Sequence, residues 1–93
     1  MSRVVLPGVL RQHADGASAI DLELPDGATV ADLLDDLAGR YPALARRVRD
    51  ERGELRRFVN IYVDGTDARA DGGLAAPVPA SAEVLILPSI AGG

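Results

Sequence analysis

The stretch Thr29-Val30-Ala31-Asp32-Leu33-Leu34-Asp35-Asp36-Leu37-Ala38-Gly39 decides the architecture. Val30, Leu33, Leu34 and Leu37 fall at i, i+3, i+4 and i+7, a spacing that lines them along one side of an α-helix and opposes them to Asp32, Asp35 and Asp36. Thr29 is placed to cap the helix, because its hydroxyl accepts from an orphan amide, and Asp32 lies where an acid favours the positive helix end. Gly39 and Pro42 mark the predicted end. Residues 43–49, with Leu44 and Val48 on one side, predict a short second helix.

Strands flank this helix on both sides in sequence. Before it, Ile20, Leu22 and Leu24 alternate with Asp21 and Glu23, a strand with one buried and one wet face, and Pro25-Asp26-Gly27 turns the chain. Residues 4–10 predict an earlier strand bent at Pro7-Gly8, joined to the next through a hairpin loop over residues 13–18. After the helix, residues 58–63 put Val59, Ile61 and Val63 on one face and Phe58, Asn60 and Tyr62 on the other. Asp64-Gly65 suits a tight hairpin, so residues 66–69 return as a short edge strand. Gly72-Gly73-Leu74 is a loop or single helical turn, and the unbroken apolar run Val84-Leu85-Ile86-Leu87 has the character of a central strand.

Two strands, one long helix and three further strands imply an α+β fold: a mixed sheet of about five strands wrapped on one main helix by a right-handed crossover. That is the β-grasp, or ubiquitin-like, arrangement. Ferredoxin-like folds also alternate strands and helices; the single long helix and the terminal glycine pair favour the β-grasp. The expected division is a domain over residues 1–87 and an extended, flexible tail over residues 88–93.

Composition narrows the chemistry. Ninety-three residues with 47% hydrophobic content make one domain with one modest core. No cysteine is present, so disulfides, thiolate zinc sites and cysteine nucleophiles are excluded. His13 is the single histidine, read as a solvent-exposed loop residue, and no metal site is expected. The apolar run before Pro7 is too short for a signal peptide or a membrane span, which predicts a cytoplasmic protein. All ten basic residues are arginine. Seven of them lie in residues 40–57 against three acids, a segment of net +4, while the remainder is net −8. Only Tyr41 and Phe58 flank this cluster, whereas a nucleic-acid footprint interleaves aromatics within a basic domain; a solvated loop or a docking patch for an acidic partner fits better.

The chain closes on Ile90-Ala91-Gly92-Gly93. Two glycines without side chains beside a carboxylate can thread a narrow channel. If extended, residues 88–93 reach roughly 20 Å, enough to enter a partner's cleft while the body docks outside. Phe58, Leu87, Pro88 and Ile90 are the candidate docking hydrophobes near that end, with core burial the alternative for Phe58 and Leu87.

The run Arg57-Phe58-Val59-Asn60-Ile61-Tyr62-Val63, with Asp67-Ala68-Arg69, Gly72-Gly73-Leu74 and Val84-Leu85-Ile86-Leu87-Pro88 before Ala91-Gly92-Gly93, resembles the ThiS/MoaD family of sulfur carrier proteins. The likeness is strong over residues 55–93, weaker over residues 1–54, and greatest to the CysO-type carriers of cysteine biosynthesis. It implies a carrier whose terminal carboxylate, at Gly93, is adenylated by an E1-like enzyme using ATP and converted to a thiocarboxylate that donates sulfur. It further implies that Gly92, Ala91, Ile90 and Pro88 are recognised as a tail, and that Phe58 and Leu87 dock the partner. The partners it implies are the E1-like enzyme, a pyridoxal-phosphate (PLP) dependent cysteine synthase and a zinc peptidase of the JAMM type. The chain itself offers no general base, metal or phosphate loop, since Gly72-Gly73 lacks the ending of a P-loop; it reads as a protein co-substrate that binds no cofactor. Alternatives within the family are the small subunit of molybdopterin synthase and a carrier for thiamine or a sulfur-containing secondary metabolite. A ubiquitin-like modifier joining Gly93 to lysines of other proteins uses the same activation, and a passive β-grasp interaction module remains a third class.

Overall fold

The computed structural model describes residues 1–88. Strand β1 (Ser2–Val5) pairs antiparallel with β2 (Ala19–Leu22), placing Ser2 opposite Leu22 and Val5 opposite Ala19. Between them the chain is helical: α1 (Gly8–Arg11) runs into a 3₁₀ turn (Gln12–Ala14), and left-handed Asp15 (φ 54°) and Gly16 (φ 83°) turn it back toward β2. The strand expected over residues 4–10 therefore stops at Val5. Pro7 brings no N–H to a ladder, and its carbonyl accepts from the Leu10 amide to start a helical turn that buries Leu10 and leaves Val9 outside. The loop expected over residues 13–18 contains the end of that helical segment.

The main helix, α2 (Val30–Arg40), carries the expected stripe: Val30, Leu33, Leu34 and Leu37 are all inaccessible to solvent. Its start is a reciprocal capping box, in which Thr29 Oγ1 accepts from the Asp32 amide at 3.3 Å and Asp32 Oδ2 accepts from the Thr29 amide at 2.9 Å. Gly39 does not end it. The helix runs through Gly39 to Arg40, and Tyr41, whose amide donates to the Leu37 carbonyl, closes α2 and opens α3 (Pro42–Val48). Pro42 sits at the first turn of α3, where its missing donor costs nothing.

β3 (Val59–Val63) and β4 (Thr66–Asp67) form the predicted hairpin, with Asp64 (φ 50°) and Gly65 (φ 86°) both left-handed, as a primed two-residue turn demands. β4 is shorter than expected, because Asp67 Oδ1 accepts from the Arg69 amide at 2.9 Å and starts the 3₁₀ turn Ala68–Asp71; a second turn, Gly73–Ala75, follows. β5 (Glu83–Pro88) lies in the middle of the sheet, parallel to β1 and antiparallel to β3, and the strand order is β2-β1-β5-β3-β4. Mixed pairing, a central last strand and one long helix across one face make this a ubiquitin-like β-grasp. The core lies between α2, α3 and the sheet face that carries Val4, Ile20, Leu22, Val59, Ile61, Val84 and Ile86. No helix of the described residues is long and apolar enough to cross a membrane.

Candidate functional site

β5 carries the chain to the last described residue. Its final register pairs are Asn60 with Leu87 and Val59 with Pro88, so Pro88, expected in the tail, belongs to the sheet. Ile90, Ala91, Gly92 and Gly93, the expected recognition and activation positions, lie outside the described residues.

Strand alternation assigns Leu85 and Leu87 to the face away from the helices. There Leu85 is in register with Val5 of β1 and Tyr62 of β3, and all four side chains are half-buried. The unbroken apolar run that predicted a central strand thus has a second meaning. β5 is covered by helices on one side only, and its outward leucines make the opposite face apolar up to the end of the strand. Val5, Leu85 and Tyr62 are members of this face that sequence reasoning missed. The available signal was the apolar character of both alternating sets in β5, but assigning neighbours to it requires the register.

Phe58 immediately precedes β3 and is 48% exposed, so it is not a core residue. An open groove of about 860 Å³ runs beside it at the same end of the sheet. Val9 from α1, His13 from the following turn, Arg46 and Arg47 from α3, Phe58 and Pro88 all contribute to its walls. His13 is half-buried there, a departure from the exposed loop position expected of it, because the helical segment after β1 folds back toward α3.

The segment that carries Phe58 is held by arginine. Arg69 Nη1 donates to the Val59 carbonyl at 2.7 Å and to Asn60 Oδ1 at 3.0 Å, while its Nη2 donates to the Arg56 carbonyl at 2.9 Å. Arg56 in turn donates from Nε to the Arg46 carbonyl at 2.9 Å, tying the segment to α3. Three others of the 40–57 cluster meet acids: Arg40 with Asp36 at 3.2 Å, Arg49 with Asp35 at 2.8 Å, and Arg52 with Glu54 at 3.5 Å and Asp50 at 3.8 Å. Arg46, Arg47 and Arg57 have no carboxylate partner among the described residues. The arginine-rich stretch thus divides into structural cations and cations left facing solvent. Nor do the described residues hold a group of three or more histidine, aspartate or glutamate side chains able to take a metal.

A half-buried apolar sheet face, an exposed phenylalanine and a groove thus lie toward the end of the sheet where β5 finishes. The model of the ThiS family matches residues 4–93. The chain belongs to the ThiS family. The sulfur carrier protein CysO of Mycobacterium tuberculosis is 38% identical over 92 residues, covering 97% of this chain and 96% of that protein. In the crystal structure of the Amycolatopsis orientalis BexX/CysO complex, the matched chain is 38% identical and superposes with a TM-score of 0.84 over the whole of both chains. Small archaeal modifier protein 1 of Haloferax volcanii is 33% identical over 78 residues, 84% of this chain and 85% of that one.

Proposed function

We propose that this chain is a sulfur carrier, a protein co-substrate and not itself an enzyme, whose reactive group is the carboxylate of Gly93. The observation that carries the reading is the continuity of the family match through Gly93, in a chain whose last described strand is central and has an apolar outward face. A carboxylate is a poor electrophile, so an E1-like enzyme first lets one carboxylate oxygen attack the α-phosphorus of ATP and release pyrophosphate. Sulfide or a persulfide sulfur then attacks the acyl carbon and expels AMP. With sulfide the thiocarboxylate forms directly; an acyl persulfide needs a thiol to cleave its S–S bond and release the same product. The thiocarboxylate sulfur next attacks an acceptor.

By similarity to CysO, the acceptor pathway is cysteine biosynthesis in the cytoplasm, with a PLP-dependent cysteine synthase forming a carrier–cysteine adduct and a zinc peptidase releasing the amino acid. ATP is consumed by the activating enzyme, and the carrier binds no cofactor. Phe58 and Leu87 contact the partner's body while Pro88, Ile90, Ala91 and Gly92 lead Gly93 into its active site. Intact-mass measurement after incubation with ATP, sulfide and a candidate E1-like enzyme tests this. Replacement of one oxygen by sulfur, localised to Gly93 and abolished by deleting or extending past Gly93, is the expected result. An unchanged mass with an enzyme active on its own carrier overturns the pairing.

A second reading has support from the 33% identity to a small archaeal modifier: joining of Gly93 to lysines on other proteins. Without a lysine of its own, this chain would cap such conjugates and offer no side-chain amine for branching. High-mass conjugates of a tagged chain that survive denaturation and thiol, and that vanish on deletion of Gly93, would mark this role.

A further inference from the structure

The groove beside the end of β5 has a chemistry unlike the rest of the surface. Val9, 53% exposed, and Phe58, 48% exposed, are two of the three large hydrophobic side chains that the described residues leave in solvent, and both line it. Arg46 and Arg47 stand on its α3 wall with no carboxylate partner among the described residues, and none of its lining side chains is acidic. The chain carries net −4, and outside residues 40–57 it carries net −8.

A partner bearing an acidic segment is therefore disfavoured by the chain's net charge and favoured at this groove, which biases its orientation as well as its encounter. Apolar contact with Val9 and Phe58 would then exclude water from the ion pairs and strengthen them. The groove also has the volume of a site that encloses a small ligand or a few residues of peptide.

We propose that this groove receives a short acidic segment carrying an apolar side chain, supplied by the enzyme that accepts the tail, with Arg46 and Arg47 pairing its carboxylates and Val9 and Phe58 holding its apolar residue. The identity of the partner rests on the carrier reading above; the recognition chemistry does not. Because Pro88, the last residue of β5, also lines the groove, a segment seated here places the partner's body beside the end of that strand.

The test is an NMR titration of the full ¹⁵N-labelled chain with a capped peptide alternating glutamate and leucine, beside the same peptide with glutamine for glutamate. Saturable shifts at the amides of Val9, His13, Arg47 and Phe58 that weaken with salt are expected, with no such shifts from the glutamine peptide. The exposed pair Arg46→Gln with Arg47→Gln should weaken binding by about fivefold, and Arg46→Glu with Arg47→Glu should abolish it, with α3 intact by amide dispersion. Equal response to both peptides, or binding that survives charge reversal, overturns the proposal. If Ile90→Asp alone moves the groove amides and the wild-type chain takes no peptide, the chain's own tail is the occupant. If the shifts grow with protein concentration and no peptide, a second copy is; either result overturns the partner assignment. No ATP, sulfide or enzyme enters this measurement, so its failure is separate from failure of thiocarboxylate formation.

Discussion

Arg69 Nη1 donates to the Val59 carbonyl at 2.7 Å, and Nη2 of the same guanidinium donates to the Arg56 carbonyl at 2.9 Å. Phe58 is thus held between two carbonyls fixed by one side chain from the far side of the β3–β4 hairpin. This clamp is how a loop residue beside the end of β5 keeps a defined position. Arg69→Ala should lower stability by about 1–2 kcal/mol, since charge-assisted hydrogen bonds are lost but the freed carbonyls regain water. Arg69→Lys should recover little of it, because an ammonium lacks the planar fork that reaches separated acceptors. Denaturant melts measure the first effect, and faster amide exchange across residues 56–60 the second.

Leu33 is inaccessible at the centre of the α2 stripe, with Leu34 and Leu37 beside it in the core. Leu33→Ala should destabilise the domain by about 2–5 kcal/mol through lost burial and an unfilled cavity. A thermal melt checks this, and a near-neutral result would contradict the packing of the helix on the sheet.

Phe58 predicts the opposite balance. With half its surface in solvent, Phe58→Ala should lower Tm by no more than about 4 °C. Under the carrier reading it should raise the KM of the activating enzyme for this chain by about tenfold with little change in kcat, as expected when a docking aromatic is removed away from the chemistry.

Asp50 gives a pH-dependent signature. Its carboxyl lies below the ordinary carboxylate range, first because the Glu54 amide donates to it; desolvation opposes this, and the Arg52 amide with the Arg52 and Arg56 charges adds to the lowering. A carboxylate whose pKa falls on folding contributes stability above its unfolded pKa, and that contribution disappears as pH drops through the folded value. Asp50→Asn should therefore be less stable than wild type at neutral pH, with the difference shrinking below about pH 4. Parallel urea melts across that range decide it; a constant difference would show that the turn, and not the ionisation, is what the substitution disturbs.

Local pattern accounts for much of the fold. α2, the alternating β2, the Asp64-Gly65 hairpin and the apolar β5 each announce themselves within a few residues, because helix periodicity, strand alternation and left-handed turns are set by neighbours in the chain. Residues 4–10 misled for the same reason. An apolar run broken by Pro7-Gly8 has no period, and only packing decides that Leu10 enters the core from a helical turn while Val9 stays outside. Leu87 and Pro88 stand out as candidates by their place shortly before Gly93, whereas the exposure of Phe58, for which core burial was the alternative, is decided only by the folded structure.

The main helix, the order of the five strands around it, the absence of cysteine and lysine, and the two closing glycines are all present in the one-dimensional chain, since each is a property of residue type and short-range spacing. Which surfaces those elements expose depends on long-range register. Pairing of Tyr62 with Leu85, and of Leu85 with Val5, assembles an apolar face from three strands. Folding of α1 toward α3 brings Val9 within one groove with Arg46, Arg47 and Phe58. Positions so far apart in sequence acquire a common chemistry only when burial of the helix stripe has chosen one arrangement of the sheet.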